Sequence, residues 1–163
     1  MTIFLQVLAT FLAAVAMTFA LAHAAELPGK MRLGKEAYLT VQPIYYPGFT
    51  VGAIAEPAAI VATLALFVAS GSGLVLAAFL VFLAMHAVYW VVTHPVNGFW
   101  LKDQRLEGLG KGFFSFGLGK NRPANATHPD DWTRFRDRWE YSHVARAGLS
   151  MLGLLLLLIA VAS

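Results

Sequence analysis

The chain has no cysteine, which excludes disulfides, thiolate catalysis and cysteine-ligated zinc or iron–sulfur centres. Charge is scarce as well. Asp, Glu, Lys and Arg make up 13% of the 163 residues, against 58% hydrophobic ones, and the mean hydropathy is +0.64. A soluble domain carries about 25% charged residues, so an ordinary soluble fold is excluded. Internal repeats are lacking too, and without them a four-span transporter has little to rock between two states. The last scarcity is positional: no Lys or Arg stands at either terminus or in the turn Ser70-Gly71-Ser72-Gly73.

The twelve basic residues fall elsewhere. Four apolar stretches occupy roughly residues 2–25, 48–69, 73–93 and 143–162. Each has about 20 residues, enough at about 1.5 Å per residue to cross a hydrocarbon core of about 30 Å. Lys30, Arg32 and Lys35 lie between the first two stretches. Lys102, Arg105, Lys111, Lys120, Arg122, Arg134, Arg136 and Arg138 lie between the last two, with Arg146 just inside the fourth. Cytoplasmic loops collect Lys and Arg. The pattern predicts an all-α fold, an antiparallel bundle of four transmembrane helices with interfacial helical loops. It reads as one integral membrane domain over residues 1–163, in a bacterial inner membrane, with the long loops cytoplasmic and both termini outside. The net charge of +3 does not indicate nucleic acid. The first long loop has three basic and two acidic residues and the second eight and six, so orientation alone accounts for the excess. Ala22-His23-Ala24 before Ala25 looks like a signal-peptidase site. A secretory signal opens on basic residues, however, and Met1-Thr2-Ile3-Phe4 has none, so this stretch is read as a retained span.

Along the chain, Leu27-Pro28-Gly29 predicts the end of span one. Gly34–Gln42 mixes Lys35 and Glu36 with Ala37, Tyr38, Leu39 and Val41, the composition of a short interfacial helix. Tyr45 and Tyr46 read as boundary anchors, ring buried and hydroxyl wet. Span two carries Gly52, Glu56, Ala59 and Thr63 on one stripe suited to close packing. Pro57 frees the carbonyl of Ala53 and predicts a kink. The third loop, about residues 94–142, divides into three parts. Its start, His94 to Glu107, reads as helical. A flexible glycine-rich insert follows over about residues 108–128, presenting Phe113, Phe114 and Phe116 to lipid or another subunit. From Pro129 a helix runs unbroken into span four, with Asp130/Arg134 and Arg136/Glu140 at the i,i+4 spacing of surface pairs.

An ionisable side chain inside a span is expensive and is a functional candidate by default. Glu56 lies eight residues beyond Gly48 and His86 eight before His94. Antiparallel packing therefore brings the two face to face at one depth, roughly 12 Å in. A structural hydrogen bond, proton transfer and metal binding all suit such a pair. Nearer the cytoplasmic surface, His23/Glu26 and Glu140/His143 stand at i,i+3, Arg146 and Ser150 continue the second stripe, and His94 and Asn97 close span three. The outer half has little beyond Gln6 and Thr10, so the acids and bases cluster on one side of the membrane. The two Glu/His pairs with Glu56 loosely resemble the ligand set of a di-iron carboxylate bundle, although one pair runs His-then-Glu. A single ion on two or three of His23, His86, His94 and His143 is the simpler metal site, and no pair is clearly placed for bis-histidine haem. The metal-ligand candidates are His23, Glu26, His94, Glu140 and His143, and the cofactor is either none or a His/Glu-bound metal ion. Arg146 also has a structural option, pairing with Glu26 or Glu140.

Two motifs carry a family resemblance. Thr93-His94-Pro95-Val96-Asn97 is similar to an Asn-x-Pro-x-Asn pattern, and Trp139-x-x-x-His143-x-x-Arg146 to a Trp-x-x-x-Asn-x-x-Arg pattern. With the four-span layout, the chain outside the insert resembles the anthrone-oxygenase-like family of small four-span membrane proteins. The resemblance implies oxidation of an electron-rich polycyclic phenol by dioxygen without an obvious cofactor, and it carries over Asn97, Trp139 and Arg146. His94 and His143 stand where the family pattern has amides, which adds a base or a metal ligand to the options there.

The reading that joins these observations is a membrane-embedded oxidoreductase or oxygenase. Its substrate is a hydrophobic aromatic or quinone-like small molecule entering from the inner leaflet of the lipid bilayer. The catalytic candidates are His86, Glu56, His143, Arg146 and Asn97. His86 or His143 serves as general base, Glu56 orients that imidazole, and Arg146 and Asn97 stabilise charge on the substrate oxygen. The alternatives are a non-catalytic accessory subunit of a larger membrane complex and a His/Glu metal-binding membrane protein; a homo-oligomer suits spans that enclose little. An enzyme is expected to hold a bounded pocket reaching Glu56 and His86, a structural subunit to pack them without a void.

Overall fold

With no water in the hydrocarbon core, each apolar segment has to satisfy its own backbone N–H and C=O groups, and a helix does so internally. The computed structural model describes residues 2–45, 48–100 and 131–163, and all regular structure among them is helical. Helix α1 spans Thr2–Lys30. The short α2 spans Lys35–Val41 and leads into a 3₁₀ turn, Gln42–Tyr45. Helix α3 spans Thr50–Ser70 and α4 spans Gly73–Val88. A π-helical turn over Tyr89–Thr93 joins α4 to α5, His94–Trp100, and α6 spans Asp131–Ala162. Four rods, Thr2–Lys30, Thr50–Ser70, Gly73–Asn97 and Trp132–Ala162, are long and apolar enough to cross a membrane. The chain is a multi-pass membrane protein with a four-helix bundle fold.

The rods form a ring in which α1 packs on α3 and α6, and α4 packs on the same two. Every neighbouring pair is antiparallel. The tight reversal between α3 and α4 depends on Gly71, whose φ of 64° is left-handed and whose N–H caps the carbonyl of Phe67 at 2.8 Å. Hydrophobicity does not drive helices together in lipid, so close packing of small residues has to. Ala9, Ala13, Ala16 and Ala20 form the buried stripe of α1, and Gly52, Glu56, Ala59 and Thr63 are all buried on α3 as their spacing predicts. A Cβ on Gly52 falls 2.8 Å from Phe19 Cβ, and one on Gly153 falls 2.5 Å from Phe82 Cε1. Large apolar side chains such as Phe4, Val61 and Val91 point outward, where lipid meets them. The half of the core away from the basic loops is apolar, with Leu66, Val75, Phe82 and Leu157. At the basic-loop end it turns aromatic, with Tyr38, Tyr45, Trp100 and Trp139.

Some local expectations are met and others are not. Helix α1 does not stop at Leu27-Pro28-Gly29 but continues to Lys30. Pro28 sits in the last turn, where its missing N–H costs only the bond to the carbonyl of Ala24. Span three continues past Thr93 through the π turn into α5, and, as expected, one helix runs without a break into span four, described from Asp131 onward. Pro57 lies inside the continuous helix α3, where the sequence places it. Tyr45 is not a wet anchor: it is buried, and its hydroxyl donates to Glu26. Arg136 does not pair with Glu140. It bonds its neighbour Asp137 at 2.8 Å and lies over the Trp132 ring, because Glu140 turns into the bundle. Tyr46, the 108–128 insert with its phenylalanines, and Asp130 lie outside the described residues.

Candidate binding cavity at the basic-loop end

Between these two parts of the core lies a cavity of about 60 Å³. Such a volume holds several waters or the polar end of a small molecule. Its walls come from all four rods: Ala16, Ala20 and His23 of α1, Gly52, Ala53 and Glu56 of α3, His86 to Asn97 of the third rod in part, and Trp139, His143 and Arg146 of α6. A pocket reaching Glu56 and His86, as expected of an enzyme, is therefore present, partly open at the surface.

Glu56 is the electrostatic centre of the wall. It is 5% exposed, so its charge demands partners. Arg146 Nη2 donates to one oxygen at 2.5 Å and His86 Nδ1 stands 3.0 Å from the other. Equal depth on antiparallel neighbours brought His86 here, and α6 delivers Arg146 from the opposite side. The second nitrogen of His86 accepts from Trp90 Nε1 at 2.8 Å, one helical turn on. Arg146 also places Nη1 at 3.2 Å from His143 Nδ1 and its guanidinium over the Tyr89 ring.

His143 and His23 stack with ring centroids 4.0 Å apart and planes at 30°. Tyr45 and Phe49, each 4.4 Å from the His23 ring, and Trp139 at 5.0 Å box it in. Trp139 Nε1 donates to Asn97 Oδ1 at 3.0 Å, which leaves the Asn97 amide N–H groups for other partners. The position of Asn97 depends on Pro95. Proline gives no N–H to the carbonyl of Val91 four residues back, and Arg138 Nη2 supplies one at 2.9 Å. The backbone relaxes there into the π turn, a distortion that recurs at functional sites. Ser142 donates to the carbonyl of Trp139 at 2.6 Å, so Thr93 donates to Ser142 at 2.8 Å and ties the π turn to α6.

Below the cavity, toward the basic loops, a second buried network closes the bundle. Lys30, only 4% exposed, pairs with Glu26 at 3.0 Å and with Glu140 at 3.4 Å, and its ammonium lies over the rings of Tyr45 and Trp139. Tyr38 of α2 donates to Glu140 at 2.7 Å. Burial, and then the neighbouring carboxylate, hold the Tyr38 hydroxyl well above the usual tyrosine range. Tyr45 is raised in the same way, by burial and its bond to Glu26.

No family model, curated protein or solved structure matches this chain.

All five catalytic candidates, His86, Glu56, His143, Arg146 and Asn97, line the one cavity. The five metal candidates do not converge. His23 and His143 stack face to face, Glu26 and Glu140 turn to Lys30 and the tyrosines, and His94 sits by Tyr89 and Trp90. Among the described residues no three His, Asp or Glu side chains are grouped to hold a metal ion. Arg146 takes Glu56 rather than Glu26 or Glu140, the role that Lys30 fills instead. Sequence reasoning missed Trp90 and Lys30. The i,i+4 spacing of His86 and Trp90 is a usable signal for the first; for Lys30, which the sequence places in a loop, there is none.

Proposed function

We propose that the protein is a membrane-embedded enzyme of oxidoreductase or oxygenase type, acting on a hydrophobic aromatic or quinone-like molecule in this cavity. The observation that carries the reading is the cavity itself: a small void, walled by apolar and aromatic groups, with a buried Arg146–Glu56–His86 chain on one side. A structural subunit has no use for a void beside a buried charge, because filling it gains dispersion contacts. Arg146, His143 and Asn97 supply N–H groups to an oxygen of the substrate. Glu56 holds Arg146 in place and balances its charge before the substrate carries any. Asn97, Trp139 and Arg146, the positions that resemble the anthrone-oxygenase-like family, share this cavity, which supports a phenol oxidised by dioxygen as the substrate class. We place the protein in a bacterial inner membrane with the cavity toward the cytoplasm, on the strength of the basic loops at that end.

The test uses the purified protein in lipid nanodiscs with a panel of lipophilic phenols and quinones. Binding quenches the fluorescence of Trp139 on the cavity wall, and turnover consumes dioxygen and changes product mass. Arg146→Met is expected to lower turnover about 100-fold, the size of losing one oxyanion donor. Failure of every compound to bind, or turnover unaffected by Arg146→Met, counts against the reading.

A further inference from the structure

The cavity is partly open at the surface, and the burial of its wall residues locates the opening. Toward the basic loops it is closed. Tyr45, Asn97 and Trp139 are 3%, 3% and 4% exposed, and the Lys30 network lies beneath them. Among the wall residues, exposure remains at Phe19, Phe49, Ala53 and His86, with the Arg146 side chain at 11%. Phe19 and Phe49 close the seam between α1 and α3, their rings edge to face at 5.3 Å beside the tight contact at Gly52. Arg146 turns inward, onto Glu56 and the Tyr89 ring. The seam between α3 and α4 is what is left. There Ala53 stands one helical turn before Glu56, and His86 faces Glu56 at 3.0 Å. Both helices cross the membrane, so at this depth the seam meets hydrocarbon.

His86 is fitted to such a place. Its side chain is 26% exposed, roughly 12 Å into the bilayer, where an unmet polar atom is expensive. Both ring nitrogens are met. An indole N–H only donates, so Trp90 Nε1, 2.8 Å away, requires a lone pair on His86 Nε2. The ring proton therefore sits on Nδ1, toward Glu56. With both nitrogens capped, the imidazole presents C–H edges to lipid and keeps no lone pair for a ligand. Trp90 does not line the cavity, so Nε2 is turned to a group outside the wall. We propose that the cavity fills from the bilayer through the α3–α4 seam. Ala53 and His86 frame the portal, and Trp90 is the positioning residue that holds the His86 ring in it. The proposal rests on the cavity being a ligand site, as in the reading above, and gives His86 a role in entry rather than in proton abstraction. A ligand that takes this route is uncharged and lipid-soluble, because its approach is through hydrocarbon.

The experiment follows 1,4-naphthoquinone, as probe, into the protein in nanodiscs by stopped-flow quenching of Trp139. Ala53→Phe is expected to slow association at least tenfold. The same change at Ala84, on the exposed face of α4 and outside the cavity wall, is expected to leave the rate unchanged. Association unslowed in Ala53→Phe, or slowed equally in Ala84→Phe, overturns the portal and leaves the cavity as a binding site. No binding to the wild type overturns the enzymatic reading and the portal with it. A second measurement begins with the wild type alone: solid-state magnetic resonance with ¹⁵N- and ¹³C-labelled histidine rings. His86 is expected to carry its proton on Nδ1 alone and to show contacts from its ring carbons to lipid acyl chains. A His86 ring without lipid contacts overturns the portal, and a proton on Nε2 overturns the role of Trp90. In Trp90→Phe, which keeps an aromatic ring but offers no N–H, the Nε2 signal is expected to move to that of an unbonded nitrogen; an unmoved signal overturns that role as well.

Discussion

Glu56 is held by two partners from two different helices, and that makes it the residue whose loss is felt most. Removing its charge strands the Arg146 guanidinium, 11% exposed on its side chain. Stranding one member of a buried pair costs about 3 kcal/mol or more. Glu56→Gln is expected to lower stability by about that much in detergent unfolding, and Glu56→Gln/Arg146→Met by less than the sum of the single changes. Additive losses show that the two do not interact. Tyr38 and Tyr45 give a pH signature. Both hydroxyls stay protonated in the folded chain well above their usual value of 10.0. The folded state thus holds these protons more tightly than the unfolded one. Their contribution is complete below pH 10 and is lost as pH rises above it. Wild-type protein is expected to lose stability above pH 10, and Tyr38→Phe/Tyr45→Phe to show a flatter alkaline limb; identical limbs refute the assignment.

At the scale of elements, two proline and glycine positions do the shaping. Gly52 lets α3 approach α1 at Phe19, where a Cβ meets the base of a ring rather than a flexible tip. Gly52→Ala is expected to cost about 1–3 kcal/mol, the range for overpacking a tight contact. The same change at Gly73, with nothing within 4 Å of the added carbon, is the control. Equal effects at both positions remove the argument for close approach. Pro95 shapes the third rod. Pro95→Ala restores an N–H to the carbonyl of Val91 and competes with Arg138. It is expected to leave stability within about 1 kcal/mol of wild type, because one hydrogen bond replaces another. Probe affinity is expected to fall as Asn97 shifts, and unchanged affinity shows that the π turn does not serve the cavity.

At the scale of the molecule, the bundle is polarised. The half away from the basic loops is largely apolar, whereas the other end holds the cavity, the Arg146–Glu56–His86 chain and the buried Lys30 network. Because the chain has no cysteine, its orientation is open to a clean test. A single cysteine at Thr2 or Ser163 is expected to react with a membrane-impermeant maleimide added outside the cytoplasmic membrane, and one at Lys35 only after lysis. The reverse pattern inverts the topology.

Hydropathy and the placement of Lys and Arg determined the four spans, their alternation and the end of the bundle that gathers the acids and bases, because solvation in lipid acts on each segment separately. The joint depth of Glu56 and His86 was legible for the same reason: rise per residue is a local quantity. The partners of Arg146 and Glu140 were not, since i,i+3 and i,i+4 rules describe one helix, and both side chains turn instead to other helices. The π turn at Tyr89–Thr93, the burial of Lys30 and the stacking of His23 on His143 came only from the tertiary structure. Each depends on how far one rod is rotated about its axis against the next. Small-residue packing sets that rotation through contacts that no single segment contains.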